Sequence, residues 1–129
     1  MRSLFFAFLT VFALPLYAQE IHLGLLRLLN DPRFDEDFAY ARIELRSQGD
    51  VLNAIKMSIE DMKIMTDSRG FTVTLSNASV LAEDLFQATQ NMISQGVTHL
   101  IVDLPGKKVD SLAAALKGSN VIVLNTTAP

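Results

Sequence analysis

Leu100-Ile101-Val102-Asp103-Leu104-Pro105-Gly106 is an apolar run that ends in an acidic residue and a Pro-Gly turn signal. A run of this length between turn signals is typical of a strand that is buried on both faces. Such strands belong to parallel sheets that carry helices on both sides. Ligands bind beyond the carboxyl ends of the strands in these sheets, so the run also predicts a functional edge at Asp103 and the residues after it.

Strands and helices alternate along the remainder of the mature sequence. The predicted strands are 21–29, 71–76, 98–103 and 121–124, and the predicted helices are 51–68, 82–93 and 109–116. Glycines end the helices, at Gly70, Gly96 and Gly118. This β-α-β-α-β-α-β order predicts an α/β fold with a parallel, flavodoxin-like sheet in the strand order 2-1-3-4. Because no helix follows the last strand, we expect the chain to be a truncated lobe.

Two local patterns refine this prediction. The first helix carries an apolar stripe, which we expect to pack against the sheet: Val51, Leu52, Ile55, Ile59 and Met62. Asp50 precedes this helix and is a favourable N-cap. The second strand alternates apolar and hydroxyl residues, which suits a sheet edge, and Asn77-Ala78-Ser79 predicts a turn directly after it.

Residues 1–18 have the layout of a secretory signal peptide. Arg2 gives a positive start, Leu4 to Leu14 is apolar except for Thr10, and Leu16-Tyr17-Ala18 resembles a cleavage site. The apolar part is shorter than the ~20 residues of a membrane-spanning helix. We therefore predict cleavage after Ala18 and a soluble mature chain, 19–129, in a Gram-negative periplasm. An uncleaved anchor or a buried helix is the alternative.

Composition excludes several classes of function. The chain has no cysteine, so disulfides and thiolate chemistry are excluded, and its formal net charge of −3 gives no basis for a nucleic-acid surface. Ser79, Ser94 and Ser111 have no paired histidine in a plausible catalytic role, and no phosphate-binding glycine motif is present. Asp35-Glu36-Asp37 could hold a hard cation, but a solvated loop is favoured. We expect a non-enzymatic protein with no cofactor and no metal site.

Three predicted strand ends converge at one edge of the sheet. In the strand order 2-1-3-4 a switch point separates the first and third strands, and small polar solutes bind at such points. The predicted ligand-binding residues are Asn30, Asp31, Asp103, Leu104, Pro105, Asn125, Thr126, Thr127 and Ala128. An alternative is that Asp103 only caps the turn that follows it. The polar stretch 33–49 is either a surface excursion or a loop that faces the ligand.

One weak resemblance is to bacterial receiver domains. Leu100 to Gly106 looks like their phosphoacceptor strand, with Asp103 as acceptor and Thr126 or Thr127 as the hydroxyl residue. The acidic pair that those domains have after strand one is replaced by Leu28-Leu29-Asn30, and their lysine strand is absent. The export signal also argues against a cytoplasmic phosphorelay.

A broader resemblance spans nearly the whole mature chain. The segment Ala54 to Met62 is similar to the first helix of type I periplasmic solute-binding proteins of ABC importers, the branched-chain amino acid-binding class. Asp31 to Leu45 resembles the subgroup associated with pyrroloquinoline quinone-dependent alcohol oxidation. The resemblance implies an amino-terminal lobe that binds a small solute and serves importer membrane subunits. Asp103-Leu104-Pro105 replaces the Gly, Ser and Thr of that class, which argues against an amino-acid ligand. A sensory or scaffold module of the same fold is the alternative.

Overall fold

The computed structural model of the chain describes residues 19–31, 33 and 51–126. These residues form an α/β fold with four strands and three helices, in the alternating order that the sequence predicts. The elements are β1 (Gln19–Leu28), α1 (Val51–Ser68), β2 (Phe71–Val80), α2 (Leu85–Ser94), β3 (His99–Asp103), α3 (Gly106–Ala115) and β4 (Ile122–Asn125). The predicted signal peptide, the segment 34–49 and the Asp50 cap lie outside the described residues.

The four strands form one sheet in the order β2-β1-β3-β4, and every pairing is parallel. The predicted strand order and the edge position of β2 are therefore confirmed. The chain moves from β1 to β2 on one side and then crosses to β3 on the other. This reversal puts the switch point between β1 and β3, the position at which α/β sheets of this kind bind ligands.

The two faces of the sheet are packed differently. One face carries the hydrophobic core, where Leu26, Leu100 and Val102 contact side chains of α2 and α3 such as Met92 and Leu112. The other face carries α1, which packs against β2. None of the 18 residues of α1 is buried, and Met62 is 48% exposed. Val51, Ile55, Ile59 and Met62 of the predicted apolar stripe line the space between α1 and the sheet, but their packing is looser than the sequence pattern suggests.

Glycines shape the fold at two kinds of position. Gly70, Gly96 and Gly118 follow the three helices with φ of 74°, 94° and 89°, a left-handed conformation that side chains other than glycine rarely adopt. The predicted helix ends are thus confirmed. Gly24 has a different role: a Cβ there would lie 2.9 Å from Val97 Cγ1 and 3.1 Å from Leu100 Cδ1. It lets β1 lie close to the core side chains on that face.

The predicted turn at 77–79 is wrong, because β2 continues to Val80. Asn77, Ala78 and Ser79 are in register with Leu25, Leu26 and Arg27 of β1, so ladder hydrogen bonds outweigh the local turn preference of Asn and Ser. The next helix also begins at Leu85, later than its apolar spacing predicts, after a turn at 82–84.

Candidate functional site

The carboxyl ends of β1, β3 and β4 meet at one edge of the sheet, which we call the rim. Asn30 and Asp31 follow β1, Asp103 ends β3 and Asn125 ends β4. The parallel pairing between β1 and β3 and between β3 and β4 fixes these ends at the same edge. Of the nine predicted site residues, Thr127 and Ala128 lie outside the described part of the chain.

Arg33 joins Asp31 to Asp103 across the switch point between β1 and β3. Its Nε donates to both carboxylate oxygens of Asp31, at 2.9 and 2.8 Å, and its Nη2 also donates to Asp31. The same Nη2 donates to Asp103 Oδ1 at 3.0 Å. The backbone N–H of Arg33 donates to Asp31 Oδ1 at 2.9 Å, an Asx-type turn that holds the arginine beside the strand end. Arg33 and Asp103, which are 70 positions apart in the sequence, therefore connect the ends of β1 and β3.

The three side chains of this ion cluster are largely removed from water. The Arg33, Asp31 and Asp103 side chains are 9%, 3% and 11% exposed. Buried charges are costly unless they are paired and hydrogen-bonded, and here each charge has an opposite partner. A buried ion cluster adds little net stability compared with apolar residues of similar size. Its position at the strand ends therefore marks the rim as a candidate site.

The surrounding charges favour the protonated form of the Arg33 guanidinium. Desolvation by burial would lower the pKa of Arg33, but the hydrogen bond and charge of Asp31, followed by the charge and hydrogen bond of Asp103, outweigh it. The pKa of Arg33 is therefore raised above its ordinary value. The positive charge that holds the two carboxylates together persists at any pH at which a folded protein is handled.

The other predicted residues occupy different environments. Leu104 is fully buried in the core, and Pro105 is half-buried and precedes α3 as its N-cap residue without a side-chain cap. Asn30 and Asn125 are exposed. Thr126 donates from its N–H and its Oγ1 to the Val102 carbonyl, at 3.0 and 3.2 Å. Both contacts hold the chain against the rim as it leaves β4.

Sequence reasoning missed two arginines at the rim. The sequence pattern marks Arg33 only as part of the polar stretch 33–49, although Arg33 follows Asp31 by two residues and must therefore lie near it. Arg27 interrupts the apolar run of β1 and is in register with Asp103 of β3, which places both side chains on one face. An arginine inside a buried strand is uncommon without an acidic partner. Arg27 within the apolar run of β1 therefore predicts an acidic side chain close to it.

The two histidines lie away from the rim. His22 Nε2 is 2.8 Å from Ser76 Oγ, and His99 begins β3 at the end opposite Asp103. In the described ranges, 19–31, 33 and 51–126, no group of three His, Asp or Glu side chains could hold a metal ion. No helix within those ranges combines the length and the apolar character that a membrane span requires.

No protein-family model, no curated protein and no solved structure matches this chain.

Proposed function

We propose that the chain is a non-enzymatic lobe that binds a small polar solute at the rim. The observation that carries this proposal is the buried Asp31–Arg33–Asp103 cluster at the switch point between β1 and β3. This is the place where α/β sheets bind their ligands. The cluster supplies both a guanidinium donor and carboxylate acceptors, so it suits a solute that carries hydrogen-bonding groups of both kinds.

The biological setting that we propose follows from the sequence resemblance. The chain would be the amino-terminal lobe of an exported, periplasmic solute-binding protein that delivers its solute to the membrane subunits of an ABC importer. A second lobe would close over the bound solute by hinge motion. The similarity of Asp31 to Leu45 to the subgroup named above links the proposed solute to quinoprotein alcohol oxidation.

A sensory or scaffold module of the same fold is the second candidate, and one observation favours it. Arg33 already bonds both carboxylates, so the cluster is satisfied without a solute. In that case the cluster would fix the strand ends and would not exchange its partners for a ligand.

Thermal unfolding of the exported chain tests the proposal. The screened solutes would include products of alcohol oxidation and quinone precursors. A solute that binds the native state at a 100-fold excess over its Kd stabilises by about 2.7 kcal/mol. For a domain of this size we expect a rise of roughly 10–20 °C in Tm. If no solute raises the Tm, the solute-binding proposal fails and the module without a transported solute is supported.

Asp103→Asn separates rim binding from binding elsewhere. The substitution keeps the shape of the side chain and removes the charge that Arg33 contacts, so we expect the ligand-induced shift to fall while the far-UV circular dichroism is retained. Lys63→Met is the matched control, because its ion pair with Asp67 is exposed and lies on α1. An unchanged shift in Asp103→Asn would move the solute away from the rim.

A further inference from the structure

A cavity of about 540 Å³ lies between α1 and the sheet, on the face opposite the hydrophobic core. Ile21 and Leu23 of β1, Val73 of β2 and Ile101 of β3 form its floor. Ala54 and Ser58 of α1 lie over it. Small-molecule sites have volumes of roughly 300–1,000 Å³, and this cavity falls within that range.

The lining of the cavity defines the chemistry of its occupant. None of the described residues that line it is ionisable, and most are aliphatic. Its three hydroxyls already donate to backbone carbonyls: Ser58 to Ala54 at 2.9 Å, Thr66 to Lys63 at 2.9 Å and Thr126 to Val102 at 3.2 Å. Among these described residues a charged ligand would lose its hydration without gaining an oppositely charged partner. The cavity is therefore complementary to an uncharged molecule.

The cavity is accessible from solvent. Ala54 and Ser58 line it and are nevertheless exposed. Leu124 is in register with Ile101 on the neighbouring strand and is 47% exposed, so the apolar surface continues from the cavity floor onto β4. An apolar molecule could enter without unfolding the lobe.

We propose that this cavity is a binding site for an uncharged, mainly apolar small molecule, separate from the polar rim. Thr126, which lies at the rim and also lines the cavity, is the point where the two sites adjoin. The proposal does not depend on solute binding at the rim. Burial of aliphatic surface would supply the affinity, at about 25 cal/mol per Å² removed from water.

Fluorescence titration of the exported mature chain with N-phenyl-1-naphthylamine, an uncharged apolar probe, tests the site. We expect saturable binding at one site per chain. Ala54→Phe fills the cavity from α1 and should weaken binding by about tenfold or more. Met57→Phe adds an aromatic ring on the exposed side of the same helix, at a residue that is 64% exposed, and should leave binding unchanged.

Three further measurements complete the test: a second cavity-filling variant, a comparison of a neutral with a charged competitor, and a variant of the rim. Ser58→Leu fills the cavity at a second position, in case Ala54→Phe loses its helical circular dichroism signal. Decanamide should displace the probe, whereas decanoate at the same concentration should not, because only the latter is charged. Asp103→Asn should leave probe binding intact, which separates this site from the rim.

Three outcomes would overturn the proposal. They are equal probe binding by Ala54→Phe and Met57→Phe, equal displacement of the probe by decanoate, and sedimentation of the chain as a dimer that Ala54→Phe dissociates.

Discussion

The contribution of each ion pair to the free energy of unfolding depends on how deeply the pair is buried. The Asp31–Arg33–Asp103 cluster is largely buried, whereas Lys63 and Asp67 on α1 are 69% and 56% exposed at a similar distance of 3.0 Å. Removing one partner of a buried pair leaves an uncompensated charge and costs about 3–5 kcal/mol, whereas an exposed pair contributes about 0–1 kcal/mol.

Arg33→Met should therefore lower the free energy of unfolding by about 3–5 kcal/mol, because it keeps most of the side-chain volume and removes the positive charge that both carboxylates contact. Lys63→Met should change it by about 0.5 kcal/mol or less. Urea unfolding of both variants measures the difference. Similar small effects in the two variants would mean that the cluster does not hold the rim together.

Gly24 gives a second prediction about a single residue. An alanine Cβ would lie 2.9 Å from Cγ1 of Val97, a stiff and buried side chain. The crowding should outweigh the gain of roughly 0.5–1 kcal/mol from replacing a strand glycine. We expect Gly24→Ala to destabilise the fold by about 1–3 kcal/mol in urea unfolding, with less loss when Val97→Ala is combined with it. A neutral Gly24→Ala would show that β1 and Val97 can move apart.

Among the helices, α1 is less buried than α2. Three residues of α2 are buried, Leu85, Thr89 and Met92, whereas α1 has none although it is longer. Helix stability in proteins comes mainly from packing of the apolar face. We therefore expect the amides of α1 to exchange with solvent at least about tenfold faster than those of α2, measured by hydrogen exchange. Equal protection would mean that α1 is held as firmly as the core helix.

The elements show how far a sequence pattern predicts structure. The runs 98–103 and 121–124 are apolar and bounded by breakers, so β3 and β4 were predicted close to their observed positions. The sequence pattern does not predict the last part of β2, because Asn77 and Ser79 favour turns locally. These residues are extended because they pair with β1. Asp31 and Asp103 were placed at one edge by topology, but their link through Arg33 depends on a contact between distant residues that no local pattern encodes.

At the scale of the whole molecule, the predicted signal peptide gives a test of localisation. Expression of residues 1–129 in a Gram-negative host should release a mature chain into the periplasm, and its amino terminus should be Gln19. Amino-terminal sequencing of the periplasmic fraction checks this. A chain that keeps Met1 and sediments with membranes would support the alternative of an uncleaved anchor.

The two proposed sites adjoin at Thr126 but differ in their chemistry. The rim presents charged groups at the carboxyl ends of the strands, and the cavity presents aliphatic groups beneath α1. Variants of the two sites should therefore be independent: Asp103→Asn should alter the polar solute only, and Ala54→Phe the apolar probe only.

The most direct test of solute binding at the rim is a map of amide chemical shifts during titration with the solute that raises the Tm. We predict that the largest changes fall on Asn30, Asp31, Asp103 and Asn125, at the carboxyl ends of β1, β3 and β4. Changes confined to other surfaces, or no changes at a saturating concentration, would contradict the proposal that this lobe binds its solute at the Asp31–Arg33–Asp103 cluster.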